Sequence, residues 1–362
     1  MNLNEHTHTH THTHTHTHTH THTHVQTISL ISHPSKVMLK IVLNRLKLQV
    51  EKILAEEQAG FRAGRSTTEQ ILNLRILCEK YVQHQQDLYH VFIDFKKALD
   101  RFWHAALWAT MKKYNISKNL IRVIKNFYNK ATSAALFNSS IGNWFRTTVA
   151  VQQGCLLSST LFNIFLERVM TEALEDHEGT VSIGGRAITN LRFADDSDGF
   201  AGEEEELENL VECLDKASTA CGMEISNETT KLMTNNTSGF NTEIEVNGQK
   251  LETVTSFKYL GSVITNEGSK REILSRIAQT TAALTMLKPI WNDRSISLLN
   301  EMSISLSSKI QLMRSLVTSI FVYAFESWTL TAELQRRIQA MKIRFSYASH
   351  AKTVLPTRMS VP

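Results

Sequence analysis

The chain has 362 residues, of which 42% are hydrophobic and 20% charged, with a formal net charge of +4. That balance suits a globular protein of one large or two ordinary domains and excludes disordered or fibrous classes. The four cysteines form no CxxC pair, no secretory signal precedes them, and the longest apolar run, Leu316 to Phe325, is far too short to span a bilayer; the reading is an intracellular protein with reduced thiols and no membrane partner, its compartment (nucleus or cytoplasm) left open.

Along the chain, Glu5 to His24 is a strict Thr-His alternation with ten His. No core can be built from it, so residues 1–24 stand outside the fold. Imidazoles at i, i+2 can converge on a transition metal, and a simple translated repeat with no role is the competing reading. Val37 to Leu46 places apolar residues at helical spacing, Glu57 to Thr68 is loop-like, and Ile71 to Val82 predicts a second amphipathic helix. His90-Val91-Phe92-Ile93-Asp94-Phe95 reads as a buried strand ending in an acid. Helices are predicted over Trp103 to Tyr114, Lys118 to Tyr128 and about Ser159 to Leu174.

Thr180 to Phe193 alternates as a hairpin turning at Gly184-Gly185. Leu207, Leu210, Val211, Leu214 and Ala217 mark a helix with an acidic outer face; Glu203 to Glu228 holds nine acids and one Lys. Glu243 to Ile264 is β-rich with a turn at Val246-Asn247-Gly248-Gln249. From Ser269 onward the pattern is mostly helical, and Glu267 to Arg344 holds eleven Lys/Arg and six acids. A basic third of this kind suits a phosphate backbone, although ordinary solvated helix faces produce the same asymmetry. The order predicts an α+β fold with an antiparallel sheet in the middle.

Three acids fall at strand ends: Asp94, and Asp195 with Asp196. Nucleotidyl transfer needs two divalent ions close together, and Mg²⁺ prefers hard carboxylate oxygens. One acid ending a strand and an acid pair in a neighbouring turn would supply them. Taken alone, Asp195-Asp196-Ser197-Asp198-Gly199 is equally good turn chemistry.

The surrounding motifs give the acids a context. His90 to Asp100 resembles the first catalytic motif of non-LTR (LINE-type) retrotransposon reverse transcriptases. Gln153-Gly154 and the following Cys155 to Leu166 resemble the Gln-Gly motif and its helix, and Phe193-Ala194-Asp195-Asp196 resembles the acidic-pair motif. Gly222 to Lys231 resembles the segment after the palm helix, Phe257-Lys258-Tyr259-Leu260-Gly261 the primer-grip hairpin, and Gln58 to Thr67 the fingers motif. The six occur in the family's order and span about Thr27 to about Arg344.

The resemblance implies a right-hand polymerase fold: fingers and palm, antiparallel sheet plus helices, over 25–265, a mostly helical thumb over 266–344, and a divergent tail over 345–362. It implies an RNA-directed DNA polymerase using two Mg²⁺ (Mn²⁺ as substitute), an RNA template, a DNA primer and deoxynucleotides, with an endonuclease supplied in trans. Asp94, Asp195 and Asp196 would be catalytic and metal-binding. Arg62, Arg65, Leu99, Gln153, Gly154 and Lys231 would face nucleotide or template, and Tyr259, Leu260 and Gly261 would grip the primer. The basic region would hold the duplex by its phosphates without reading sequence.

Some positions depart from the family. Leu99 stands where the family usually has Phe, the steric gate against a ribose 2′-hydroxyl. Leu157 and Ser159 stand where prolines are common, and Gln152 where Arg is usual. Thr229-Thr230 aligns with a Lys-Thr pair whose Lys is a candidate general acid for pyrophosphate; Lys231, two residues on, would share a face with Thr229 if both lay on a strand. Ser295-Ile296-Ser297-Leu298 recurs as Ser303-Ile304-Ser305-Leu306. These features, with the missing fingers sequence and endonuclease, are the expected marks of a shortened, drifting copy. The competing readings are a remnant that only binds nucleic acid, and a His-rich metal-binding protein.

Overall fold

The computed structural model of the chain describes residues 32–101, 103–129, 132–134, 136–137, 140–146, 154–175, 177–235, 243–246, 248–292 and 306–349. The Thr-His alternation, Gln152, Gln153, both copies of the Ser-Ile-Ser-Leu repeat apart from Leu306, and the end of the tail lie outside these residues.

The expected α+β arrangement is present. A five-stranded sheet is built from β1 (Tyr89–Ile93), β2 (Asn190–Phe193), β3 (Asp196–Ala201), β4 (Lys231–Thr234) and β5 (Glu252–Thr253), in the order β5-β4-β1-β3-β2. Only β4 and β5 run parallel. Strand β1 is buried at all five residues because both sheet faces are covered. Val91 and Ile93 pack on one side with Leu161, Phe165, Leu210 and Leu214. Phe92 packs on the other with Ile71, Leu74, Leu191, Phe200 and Tyr259.

The covering helices follow from their patterns. His33–Val50 buries Leu39, Val42, Leu43, Leu46 and Val50, and Ser32 caps it by accepting the Ser35 N–H. Ser158–Ala173 is buried on nearly every side, as a helix wedged between layers must be. Glu204–Ala220 puts Glu204, Glu205 and Glu206 in its first turn, where the helix dipole favours negative charge, and buries Leu207, Leu210, Val211 and Leu214.

The Gly184-Gly185 hairpin forms as expected: Ser182–Ile183 pairs with Arg186–Ala187, and both glycines take positive φ. One expectation fails in detail. The stretch Asp195 to Gly199 is not a turn: Asp196 onward is strand β3, and the reversal is confined to Ala194 and Asp195. Pairing of β3 with both β1 and β2 outweighs the local turn preference of Asp198 and Gly199.

Beyond the sheet, Ser256–Tyr259 and Ser262–Thr265 form a separate hairpin. Helices Lys270–Asn292, Leu306–Leu312 and Ala332–Ser349 follow, with a third core of Ile273, Met313, Val317, Phe321, Leu334, Ile338 and Met341. Among the described residues no helix is long and apolar enough to cross a membrane. All four cysteines are free thiols.

Candidate active site

The three acids come together through strand register. Ile93 of β1 pairs with Ser197 of β3, so Asp94 and Asp196 follow at the next position on each chain. Phe193 pairs with Asp196 across the β2–β3 reversal, which leaves Asp195 in the turn itself. Burial pushes the Asp196 carboxyl up to about 6, and the charges of Asp195 and Asp94 add to it. Burial also raises the Asp195 carboxyl, with Asp94 contributing. Among the described residues, the neighbouring charges that raise both are carboxylates alone. Hard oxygens crowded at like charge form a donor set that a divalent cation relieves. No three His, Cys, Asp or Glu side chains among the described residues are gathered as a ready metal cage, so the fit lies in donor chemistry and proximity, with remaining ligands left to solvent and substrate.

Backbone contacts fix these acids from two directions. The Asp94 N–H donates to Thr230 Oγ1 at 3.2 Å, and its carbonyl accepts the Ser226 N–H at 2.8 Å. The turn is held by Gln58, which is 1% exposed. Its Oε1 accepts the N–H groups of Ala194 (2.9 Å) and Gly60 (2.8 Å), and its Nε2 donates to the Ala194 carbonyl at 3.3 Å. Ala194 has φ +61°, a left-handed conformation costing an L residue about 1–2 kcal/mol. Gly60 is required by proximity, since a Cβ there would lie 2.1 Å from the Ala194 nitrogen. Asn163 donates to the Gly60 carbonyl at 2.7 Å, and Gln70 donates to the carbonyls of Glu57 and Arg192.

A groove of about 380 Å³ opens beside the acids, lined by Phe92, Asp94, Asp196, Lys231, Phe257 and Tyr259 among others. Lys231 pairs with Glu252 at 2.8 Å and donates to the Glu228 carbonyl. The Tyr259 hydroxyl is buried and has no hydrogen-bond partner among the described residues. Burial holds its phenol well above the usual range, and the charges of Asp198 and Asp196 add to this. Behind the groove, His90 Nδ1 lies 3.4 Å from the fully buried Asp198 carboxyl, which burial pushes up to about 6 against the opposing effect of His90.

The other expected residues fall as follows. Arg62 turns inward: its side chain is 7% exposed, pairs with Glu51 at 2.6 Å and donates to the carbonyls of Ala55 and Gln58. Arg65 remains a third exposed beside Glu69 at 3.4 Å. Leu99 is partly buried against the main core. Gly154 sits in an exposed turn with φ +90°. Leu260 and Gly261 form the hairpin tip, with φ of +46° and +84°.

Sequence reasoning did not find the roles of Gln58, Thr230 or the His90–Asp198 pair. A buried amide in a glycine-containing loop was the available signal for Gln58. Asp198 follows Asp196 by one strand period, which places both on one face.

Residues 18–264 match the family described as reverse transcriptase (RNA-dependent DNA polymerase). The RNA-directed DNA polymerase from mobile element jockey of Drosophila melanogaster is 21% identical over 87% of this chain and 35% of its own length. The probable RNA-directed DNA polymerase from transposon BS of the same species is 30% identical over 38% of this chain and 15% of its own. The chain thus spans about a third or less of these relatives. Among solved structures, apo telomerase from Candida tropicalis aligns with a TM-score of 0.45 and 18% identity, covering 87% of this chain and 51% of that one.

Proposed function

We propose, from the premise that this chain belongs to the reverse transcriptase family, that it extends a primer by RNA-directed DNA synthesis. Enzymes of this family use divalent metal ions, and their retrotransposon members are RNA-directed DNA polymerases. The observation carrying the proposal is the convergence of Asp94, Asp195 and Asp196 on adjacent strand ends, held by Thr230 and Gln58.

In the reaction the primer 3′-oxygen bonds to the α-phosphorus of a deoxynucleotide, pyrophosphate leaves, and the 3′-hydroxyl gives up its proton. Asp94, Asp195 and Asp196 would hold two Mg²⁺ or Mn²⁺ ions, which supply charge neutralisation and a lowered hydroxyl pKa when bound. The left-handed Ala194 turn brings Asp195 and Asp196 to the sheet end where Asp94 closes its strand. Gly154, at φ +90°, would let backbone approach the nascent base pair, and Arg65, a third exposed, would meet a phosphate. Arg62 instead fixes the fingers loop from within.

Residues 25–265 are assigned to fingers and palm, and 266–344 to a thumb whose basic side chains hold the primer–template. Tyr259, Leu260 and Gly261 then face the primer. A second reading, a chain that binds nucleic acid without extending it, is favoured by one observation: the Lys231 ammonium is engaged by Glu252 and the Glu228 carbonyl, so it is poorly available as a proton donor. Extension of a DNA primer on an RNA template, abolished by Asp195→Ala, tests the first. Duplex binding with a steep salt slope and no extension selects the second.

A further inference from the structure

The hairpin Ser256–Tyr259/Ser262–Thr265 brings buried Tyr259 into the groove that Asp94 and Asp196 also line. Its two-residue tip has positive φ at both positions, which Gly261 takes freely at +84° but which Leu260 takes at +46° against the usual preference of an L residue. Contacts from the surroundings offset the cost of the left-handed Leu260. Both tip carbonyls are held by side chains from the helical region that follows. Tyr323 donates its hydroxyl to the Leu260 carbonyl at 2.6 Å, and Arg276 donates to the Gly261 carbonyl. The Arg276 guanidinium lies over the Tyr323 ring, 4.7 Å from its centroid. Glu272 completes the set: it accepts from Arg276 Nε at 2.6 Å and from the Val263 N–H at 2.6 Å.

The same tyrosine reaches the fingers side. Its hydroxyl is 3.2 Å from Thr67 Oγ1, at the start of the helix Thr67–Gln83 that follows the Gln58–Gly60 loop. From that helix, buried Arg75 donates to Ser262 Oγ at 3.1 Å, the Val263 carbonyl at 3.0 Å and Ser269 Oγ at 3.0 Å. The hairpin is thus tied at its tip to the helical region and along its return strand to the fingers helix.

We infer that Tyr323 and Arg276 are positioning residues: they hold the Leu260–Gly261 tip so that the hairpin sets the primer terminus against Asp94, Asp195 and Asp196. This rests on the polymerase reading above. Neither residue touches the reacting atoms, so their loss acts through the hairpin. A primer end displaced by a fraction of an ångström to an ångström lowers the rate of transfer while leaving deoxynucleotide binding in place.

The experiment uses the full chain, a DNA primer carrying 2-aminopurine at its 3′ end and an RNA template. Tyr323→Phe removes one hydroxyl and keeps the ring under Arg276; Arg276→Lys keeps the charge and loses the guanidinium fork. For each, kcat per titrated active site, KM for deoxynucleotide and terminal 2-aminopurine fluorescence are measured. The expected result is a fall in kcat of roughly tenfold, KM within about twofold, and altered fluorescence of the bound primer end. Unchanged kcat per active site and unchanged fluorescence, with only a lower Tm, overturns the inference and leaves the polymerase reading intact. Failure of the unaltered chain to bind or extend the duplex overturns that reading, and the inference with it.

Discussion

Gln58 engages both polar backbone atoms of Ala194, accepting its N–H at 2.9 Å and donating to its carbonyl at 3.3 Å. The Gln58–Gly60 loop therefore sets the conformation of the turn that carries Asp195 and leads into Asp196.

Replacing that amide should be costly. Gln58→Ala leaves buried backbone groups of Ala194 and Gly60 without their side-chain partner, an expected loss of about 2–3 kcal/mol. Gly60→Ala must displace the turn, because the new methyl would meet the Ala194 nitrogen at 2.1 Å. Urea unfolding checks both; a midpoint unchanged from the parent in either variant would show that the loop does not hold the turn.

The acid cluster makes a pH-dependent prediction. A carboxyl whose folded pKa is raised contributes least stability once it is ionised. The metal-free chain should therefore lose stability as pH climbs from the usual carboxylate range to about 6, the folded value for Asp196. Asp196→Asn should stabilise it near pH 7.5 by about 1 kcal/mol after discounting for solvent screening, while abolishing extension. A variant less stable than the parent at that pH contradicts the electrostatic account.

Divalent cations should act in the opposite direction. Mg²⁺ or Mn²⁺ at a hundred times its Kd should raise the unfolding free energy of the parent by about 2.7 kcal/mol. Asp94→Asn/Asp195→Asn should erase most of that gain. Equal stabilisation of parent and double variant, read by thermal scans, would place the binding elsewhere.

Leu99 is shorter than the aromatic residue usual at its position and is only partly buried. Leu99→Phe should therefore lower the use of ribonucleotides relative to deoxynucleotides. The ratio of kcat/KM for the two substrates measures this, and equal ratios in both proteins rule it out.

The two loop arginines should separate. Arg62→Ala is expected to destabilise the fold by about 1–3 kcal/mol with little change in nucleotide KM, since its guanidinium serves Glu51 and two carbonyls. Arg65→Ala should leave the Tm in place and weaken nucleotide or template binding. Parallel Tm and KM measurements decide between these assignments.

Much of this site was legible in the sequence for local reasons. Tyr89–Ile93 is a short apolar run closed by an acid, and Gly184-Gly185 is a turn pair by composition. The Gln58–Ala194 contact was not legible, because it joins residues 136 apart and depends on the approach of two backbones. The reversal at Ala194 was hidden for a related reason: Asp195 to Gly199 carries strong turn chemistry, and pairing with β2 together with a strand from far upstream makes Asp196 onward extended. The inward turn of Arg62 likewise depends on carbonyls of its own loop, which a motif does not reveal.

The position of β1 between β3 and β4 also governs when the site comes into being. During synthesis the strand Tyr89–Ile93 emerges long before either neighbour, with both edges open and all five side chains uncovered. Pairings this distant in sequence close slowly. Asp94 gains Asp196 beside it only once β3 docks, and gains the Thr230 hydroxyl only as β4 arrives. The three acids therefore meet only after β3 has been made, and a chain that ends before β3 leaves both edges of β1 open and prone to aggregation.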